Sequence, residues 1–165
     1  MEPTGRPNGR LDGVREFTPT LREVRRRRAD LHRALVDVEE AISGPAGGRI
    51  ESWTADVTKM LHALLSTIDE HVEVTERVGG LYDEVQQRAP HLSNQLRRLH
   101  DEHPAMRAET LELLDRLEND PIGDAWPVGD VRDDVQRLLG RCVRHRQHGA
   151  DLVWEAYNLD IGGHE

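Results

Sequence analysis

The feature that most constrains this sequence is an unbroken helical spacing of its non-polar positions near the C-terminus. Between Val128 and Leu159 these positions recur every three or four residues, which is the period of one face of an α-helix. The face consists of Val128, Val131, Val135, Leu138, Cys142, His145, Gly149, Leu152, Ala156 and Leu159. His145 stands where a leucine is expected, so this helix directs an imidazole at the helices against which it packs.

Three earlier segments show the same period and are separated by residues that break helices. The four predicted helices cover about 18–43, 50–79, 90–118 and 128–159. In the first, Pro19 suits the first turn, and Thr20 with Glu23 matches a capping box. Asp130 is the predicted cap of the last helix. Four amphipathic helices with short connections therefore predict an all-α, antiparallel up-down-up-down four-helix bundle over residues 18–160.

Two stretches modify this simple pattern. Gly79 and Gly80 end or interrupt the second helix, and residues 81–88 then predict a short extra turn. Pro104 lies inside the third helix, where it removes a backbone hydrogen bond and predicts a kink. Outside the bundle, the Gly-, Pro- and Arg-rich residues 1–17 predict a disordered arm, and residues 161–165 predict a frayed tail.

Composition narrows the class of protein. The length of 165 residues fits a single domain, and the net charge of −9 repels the phosphate backbone of nucleic acids. The sequence contains no apolar run of about 18 residues that would cross a membrane. Its single cysteine, Cys142, has no partner for an internal disulfide, which favours a reducing compartment. We therefore expect a cytoplasmic protein that binds neither nucleic acids nor membranes.

Three histidines occupy inward positions on three different helices. They are His71, His103 and His145, and imidazoles from facing helices are the means by which bundles build metal sites. His103 and His145 are about equally far from the loop that joins their helices, so we expect them to meet. His71 is offset by roughly six residues, or about 9 Å of helix, and is expected in another layer unless the turn at residues 81–88 shifts the register. The alternative for each one is a core histidine that only donates a hydrogen bond.

Carboxylates next to inward positions are the candidate oxygen ligands, since iron and manganese accept oxygen together with imidazole nitrogen. Glu76 and Glu155 rank first because each adjoins an inward residue, whereas other acidic residues are expected to be solvated. Those others are Glu70, Glu73, Glu102, Glu109 and Asp151. Arg28 also takes an inward position near the level of His103 and His145. A buried guanidinium there needs a carboxylate partner and disfavours a dication.

Two His-x-x-His pairs place imidazoles on one helical face within chelating distance. They are His100 with His103 and His145 with His148, and nine histidines in the chain make such pairs weakly specific.

The inward residues lie in sequence runs that resemble hemerythrin-like (HHE cation-binding) domains over about residues 55–160. The runs are His71-Val-Glu-Val-Thr-Glu76 before Leu81-Tyr82, Leu99-His-Asp-Glu-His103, and His145-Arg-Gln-His-Gly-Ala-Asp-Leu-Val-Trp-Glu155. The resemblance implies a four-helix bundle with a di-iron centre held by histidines and carboxylates. It places that site at His71, His103 and His145. The chain departs from the family pattern with Thr75 at a carboxylate position and Arg28 at a histidine position.

The sequence therefore predicts a hemerythrin-like bundle that binds non-haem iron, as one or two ions, or another divalent metal. The predicted ligands are His71, His103 and His145 with Glu76 or Glu155, and the predicted role is to bind or sense O2, NO or iron. The alternative is a metal-free bundle that acts as an interaction or regulatory module. The sequence shows no nucleophile motif and no phosphate loop, so an enzyme is not expected. Pairing of two bundles into a homodimer stays open.

Overall fold

The computed structural model describes residues 18–120 and 122–158, and within these ranges every regular element is helical. The α-helices are α1 (Pro19–Ser43), α2 (Ile50–Glu76), α3 (Leu81–Arg88), α4 (Ser93–Asn119) and α5 (Val128–Asn158), with a 3₁₀ turn at Pro90–Leu92. The predicted all-α class is therefore confirmed. None of the helices in these ranges has the length and apolar character needed to cross a membrane. The predicted arm 1–17 and tail 161–165 lie outside the described residues.

The four long helices pack in a ring. Helix α1 packs against α2, α2 against α4, α4 against α5, and α5 returns to α1. The short helix α3 contacts all four of them. A two-turn helix that touches every member of a ring lies across one end of it, so α3 covers one end of the interior.

Two apolar clusters fill this interior, and a polar layer lies between them. The larger cluster includes Ile68, Met106 and Cys142, and the smaller one includes Leu99 and Leu152. The inward histidines fall between these positions on α2, α4 and α5 and belong to neither cluster. The helical period that buries the apolar residues therefore also buries the imidazoles, because both lie on the same face.

Several helix ends differ from the predicted ones. Thr18 caps α1, since its hydroxyl accepts a hydrogen bond from the backbone N–H of Leu21 at 3.1 Å, and the predicted capping box at Thr20 is wrong. Helix α2 ends at Glu76 instead of 79, and residues 90–92 form a 3₁₀ turn before α4 begins. Asp130 lies in the first turn of α5 and not before it. The predicted extra turn at residues 81–88 is confirmed as α3.

A glycine turn joins α2 to α3. Gly79 has a φ of 75°, a conformation that side chains disfavour, and its N–H donates to the Asp83 carboxylate at 2.8 Å. A Cβ on Gly80 would lie 2.8 Å from the carbonyl oxygens of Val74 and Arg77. The two glycines therefore permit the sharp reversal that brings α3 back over the end of the bundle.

We predict that alanine has opposite effects at two glycines. Gly80→Ala is expected to lower the free energy of unfolding by about 1–3 kcal/mol, because the new methyl group meets backbone oxygens. At Gly140, in the middle of α5, a new methyl group meets only the flexible end of Arg144 at 3.4 Å. Gly140→Ala is therefore expected to raise the free energy of unfolding by up to about 1 kcal/mol. Urea unfolding of both variants measures this. Equal effects of the two substitutions would contradict the described turn.

Candidate metal centre

Three imidazoles from three helices converge in the polar layer. His71 of α2, His103 of α4 and His145 of α5 are 6%, 2% and 2% exposed. The Nε2 atom of His145 lies 3.1 Å from Nε2 of His71 and 3.2 Å from Nε2 of His103. One ligand nitrogen from each ring lies within 4.8 Å of the other two. The expected meeting of His103 and His145 is confirmed.

The prediction that His71 lies in another layer is wrong. It held only if the turn at residues 81–88 left the register unchanged. Helix α3 and the 3₁₀ turn occupy the connection between α2 and α4, and α3 crosses the end of the bundle in contact with all four long helices, so the number of residues in the connection does not measure axial level. Helix α2 is therefore free to place His71 beside His103 and His145.

Two carboxylates hold the outer nitrogens of two of these rings. Nδ1 of His103 lies 2.5 Å from Oε1 of Glu76, and Nδ1 of His145 lies 2.6 Å from Oε2 of Glu102. A carboxylate accepts hydrogen bonds, so each Nδ1 carries the proton and donates it. In a neutral imidazole the other nitrogen then has a free lone pair. The Nε2 lone pairs of both rings are therefore available in the interior.

Burial keeps these rings neutral. Removal from water lowers the pKa of His71 to about 3, with His145 and His103 adding to the effect. Burial and the neighbouring His145 likewise lower the pKa of His103 to about 3. The pKa of His145 is also lowered by burial, against the opposing effect of Glu102. Neutral imidazole is the form that binds metals.

The spacing of the inner nitrogens suits a single ion. A tetrahedral ion with metal–nitrogen bonds of about 2.0–2.1 Å places its nitrogen ligands about 3.3 Å apart, and an octahedral ion places neighbouring ligands about 3.0 Å apart. The Nε2 separations of His145 from His71 and from His103, 3.1 Å and 3.2 Å, lie between these values, and the ligand nitrogens of all three rings lie within 4.8 Å of one another. The three imidazoles could therefore hold one metal ion.

The predicted carboxylates lie in different places. Glu76 contacts the outer nitrogen of His103, so it supports a ring in place of facing the shared centre. Glu155 accepts a hydrogen bond from the Gln95 side-chain amide at 3.2 Å and lines an outer cleft with Glu102 and His148. Glu155 therefore does not join the converging imidazoles. Ligation of a metal by either carboxylate stays a prediction.

Sequence reasoning missed two residues of the site. The Tyr82 hydroxyl of α3 lies 3.2 Å from Nε2 of His103, and the two rings are stacked 5.7 Å apart. Glu102 was placed among the solvated acids, yet it holds His145. A usable signal existed for Glu102: neighbouring helix positions differ by about 100°, so a residue next to inward His103 faces an adjacent helix. Tyr82 follows the glycine turn and stands beside one of the runs that resemble hemerythrin-like domains, but residue spacing gave no signal that it contacts His103.

The outer members of the His-x-x-His pairs do not join the centre. Nε2 of His100 lies 3.7 Å from Glu76, and Nδ1 of His148 lies 3.7 Å from Glu102. Both outer rings are more than half exposed. Each pair therefore shares one carboxylate, with one ring buried and the other in contact with solvent.

Arg28 lies near the centre, as its inward position predicts. It lines a small cavity together with His71 and His145. Arg28 is only half-buried, and its Nε has no hydrogen-bond partner among the described residues, so the carboxylate expected beside a buried guanidinium is not found there.

Comparison of the chain with protein-family models, with curated proteins and with solved structures gave no match in any of the three. The resemblance to hemerythrin-like domains therefore stays a prediction that rests on the sequence runs around His71, His103 and His145. The geometry of these three side chains does not depend on that resemblance.

We predict that burial of His71 makes the metal-free protein acid-sensitive. Its pKa is about 3 in the folded chain and about 6.5 in the unfolded chain, so the unfolded state binds more protons between these values. The free energy of unfolding should fall by about 1.4 kcal/mol per pH unit for this one histidine as the pH drops below about 6. Urea unfolding in EDTA at several pH values measures the slope.

The matched variants for this prediction are His71→Gln and His32→Gln. The first should flatten the pH dependence, whereas the second, at an exposed position on α1, should leave it unchanged. Identical slopes in wild type and His71→Gln would show that the unfolded and folded states bind the same number of protons at this position.

Proposed function

We propose that this protein is a hemerythrin-like helical bundle that holds one divalent transition-metal ion through Nε2 of His71, His103 and His145 and uses it to bind or sense a small diatomic ligand. The observation that carries the proposal is the convergence of three buried, neutral imidazoles at metal-ligand spacing. Non-haem iron is our leading candidate, and imidazole ligands also suit zinc, copper and nickel.

The proposed bundle has up-down-up-down topology. Each long helix of the ring packs against the long helix that follows it in the chain, as short antiparallel connections require. Helix α3 is an insertion in the connection between α2 and α4. This arrangement supports the antiparallel topology and leaves three consecutive long helices to supply the imidazoles.

The proposed centre holds a single ion. A two-ion centre in a bundle needs several carboxylates that face the metals. Among the described residues, the group with ligand spacing consists of three histidines and no carboxylate. Glu76 and Glu102 already bond the outer nitrogens of two of these rings. Carboxylate–histidine–metal triads use acidic residues in this supporting role.

The proposed role in ligand binding rests on coordination number. Three protein ligands leave at least one position open, which is typical of reactive metal sites, whereas structural sites are closed by four. The burial of all three rings limits access to small molecules. The Tyr82 hydroxyl lies 3.2 Å from Nε2 of His103, and such a donor beside the proposed centre could hydrogen-bond a small ligand bound there.

A metal-free role is the second candidate, and the hydrogen bonds themselves favour it. The Tyr82 hydroxyl can donate to Nε2 of His103, and Nε2–H of His71 can donate to Nε2 of His145. These two bonds pair the inner nitrogens without a metal. The bundle would then be an interaction or regulatory module in which the polar layer fixes the packing of the helices.

Metal stoichiometry separates the two candidates. Protein purified without a histidine tag and loaded with ferrous or zinc ion should retain one ion per chain after desalting, measured by elemental analysis. His103→Ala and His145→Ala should each abolish retention, because two nitrogens alone bind weakly. His62→Ala removes an exposed imidazole paired with Glu118 and should retain the ion. No stoichiometric metal in the wild type would favour the metal-free module.

We predict that Glu102→Gln weakens metal binding about 10- to 100-fold without removing a ligand, because it disturbs the tautomer and orientation of His145. Competition with a chromophoric chelator measures the affinity. Glu109→Gln is the matched control, since Glu109 lies on the same helix and bonds Arg141 at the surface. Equal losses in the two variants would indicate an effect of net charge instead of ring support.

A further inference from the structure

The third imidazole of the centre lacks the support that the other two have. Nδ1 of His103 bonds Glu76 and Nδ1 of His145 bonds Glu102. Nδ1 of His71 is buried and has no hydrogen-bond partner among the described residues. When Nε2 of His71 faces a metal, its Nδ1 carries the proton, so a buried donor is left without an acceptor.

Two arginines that line the same cavity as His71 also have an unpartnered buried nitrogen. Nε of Arg28 and Nε of Arg146 are buried without a partner among the described residues. Both arginines and His71 line one cavity of about 20 Å³ that is partly open to solvent. The remaining lining is apolar or neutral and contains no aspartate or glutamate. A histidine and two arginines therefore line a cavity whose lining residues include no carboxylate.

The charges around the cavity also favour an anion. Burial, together with the charges of Arg146 and Arg25, lowers the pKa of Arg28. Burial also lowers the pKa of Arg146. The two guanidinium groups thus raise the potential in the cavity without a compensating carboxylate. An anion that enters it gains charge-assisted hydrogen bonds.

We propose that this cavity binds a small carboxylate whose oxygens accept hydrogen bonds from the guanidinium groups of Arg28 and Arg146 and, once a metal holds Nε2 of His71, from Nδ1–H of that ring. The anion would support His71 as Glu76 and Glu102 support the other two rings. A water molecule needs about 10–15 Å³, so the cavity admits one carboxylate oxygen with the rest directed to the opening. Ligands the size of formate or acetate fit this description.

Anion binding and metal binding are coupled in this arrangement, and this part rests on the proposed function. A carboxylate on Nδ1 of His71 fixes the tautomer and raises the basicity of Nε2, as second partners of metal-bound histidines do. The carboxylate should therefore strengthen metal binding, and the metal should strengthen carboxylate binding by the same factor.

The first experiment titrates acetate into the full chain after EDTA treatment and dialysis, by calorimetry at constant ionic strength. Saturable binding of one acetate per chain is expected. Arg28→Gln and Arg146→Gln should each weaken it at least tenfold, and Gly149→Leu should abolish it, because Gly149 lines the cavity and has open space at its Cβ position. Arg144→Gln removes the same charge from an exposed position on α5 and should leave binding unchanged.

Melting temperatures of all four variants establish that each is folded. Absence of saturable acetate binding to the wild-type chain, or an equal loss in Arg144→Gln and Arg146→Gln, would overturn the proposal.

The second experiment repeats the titration with zinc-loaded chain and measures zinc affinity with and without saturating acetate. The two affinities should rise by the same factor in the wild type, and Arg28→Gln should remove the increase. Acetate that binds only with zinc present, and equally in Arg28→Gln, would be a direct metal ligand and would overturn the cavity proposal. Failure of zinc to bind would instead count against the proposed function, while acetate binding to the metal-free chain still decides the cavity.

Discussion

The hydrogen bonds between two carboxylates and two buried imidazoles determine what this interior can do. Glu76 and Glu102 each take a proton-bearing Nδ1, and the opposite nitrogen of the ring is thereby left with a lone pair that faces the interior. Without these acceptors either nitrogen could carry the proton, and the inner faces of the rings would not be defined. The orientation and tautomer of two buried rings are thus set by carboxylates at the edge of the polar layer, which remain partly exposed.

The packing around the polar layer sets the protonation of its imidazoles. Apolar clusters on both sides exclude water from the imidazoles, which lowers their pKa values and keeps their lone pairs free. The glycine turn and α3 bring Tyr82 over one end of the layer, next to His103. His71 differs from the other two rings, since its outer nitrogen has no hydrogen-bond partner among the described residues and the ring lines a small cavity together with Arg28 and Arg146. The asymmetry distinguishes the side of the layer that faces this cavity, which is where we propose that a carboxylate binds.

Much of the fold could be predicted from the sequence because burial follows helical period. The spacing that places Leu138 and Leu152 inside places His145 inside as well, so the inward imidazoles and the long helices were both visible. The level of His71 along the bundle axis could not be predicted, because α3 runs across the end of the bundle. The number of residues between His71 and His103 therefore does not give their axial separation. Pairings across helices, such as Glu102 with His145 or Tyr82 with His103, depend on the rotation of each helix. Residue spacing within one helix does not encode that rotation.

The most direct test of the account is a crystal structure of the zinc-loaded protein with anomalous data collected at the zinc edge. The account predicts one strong anomalous peak at about 2.0–2.2 Å from Nε2 of His71, His103 and His145, with Glu76 and Glu102 still bonded to the outer nitrogens. A peak bound by other side chains, or three imidazoles hydrogen-bonded to one another with no peak between them, would contradict it.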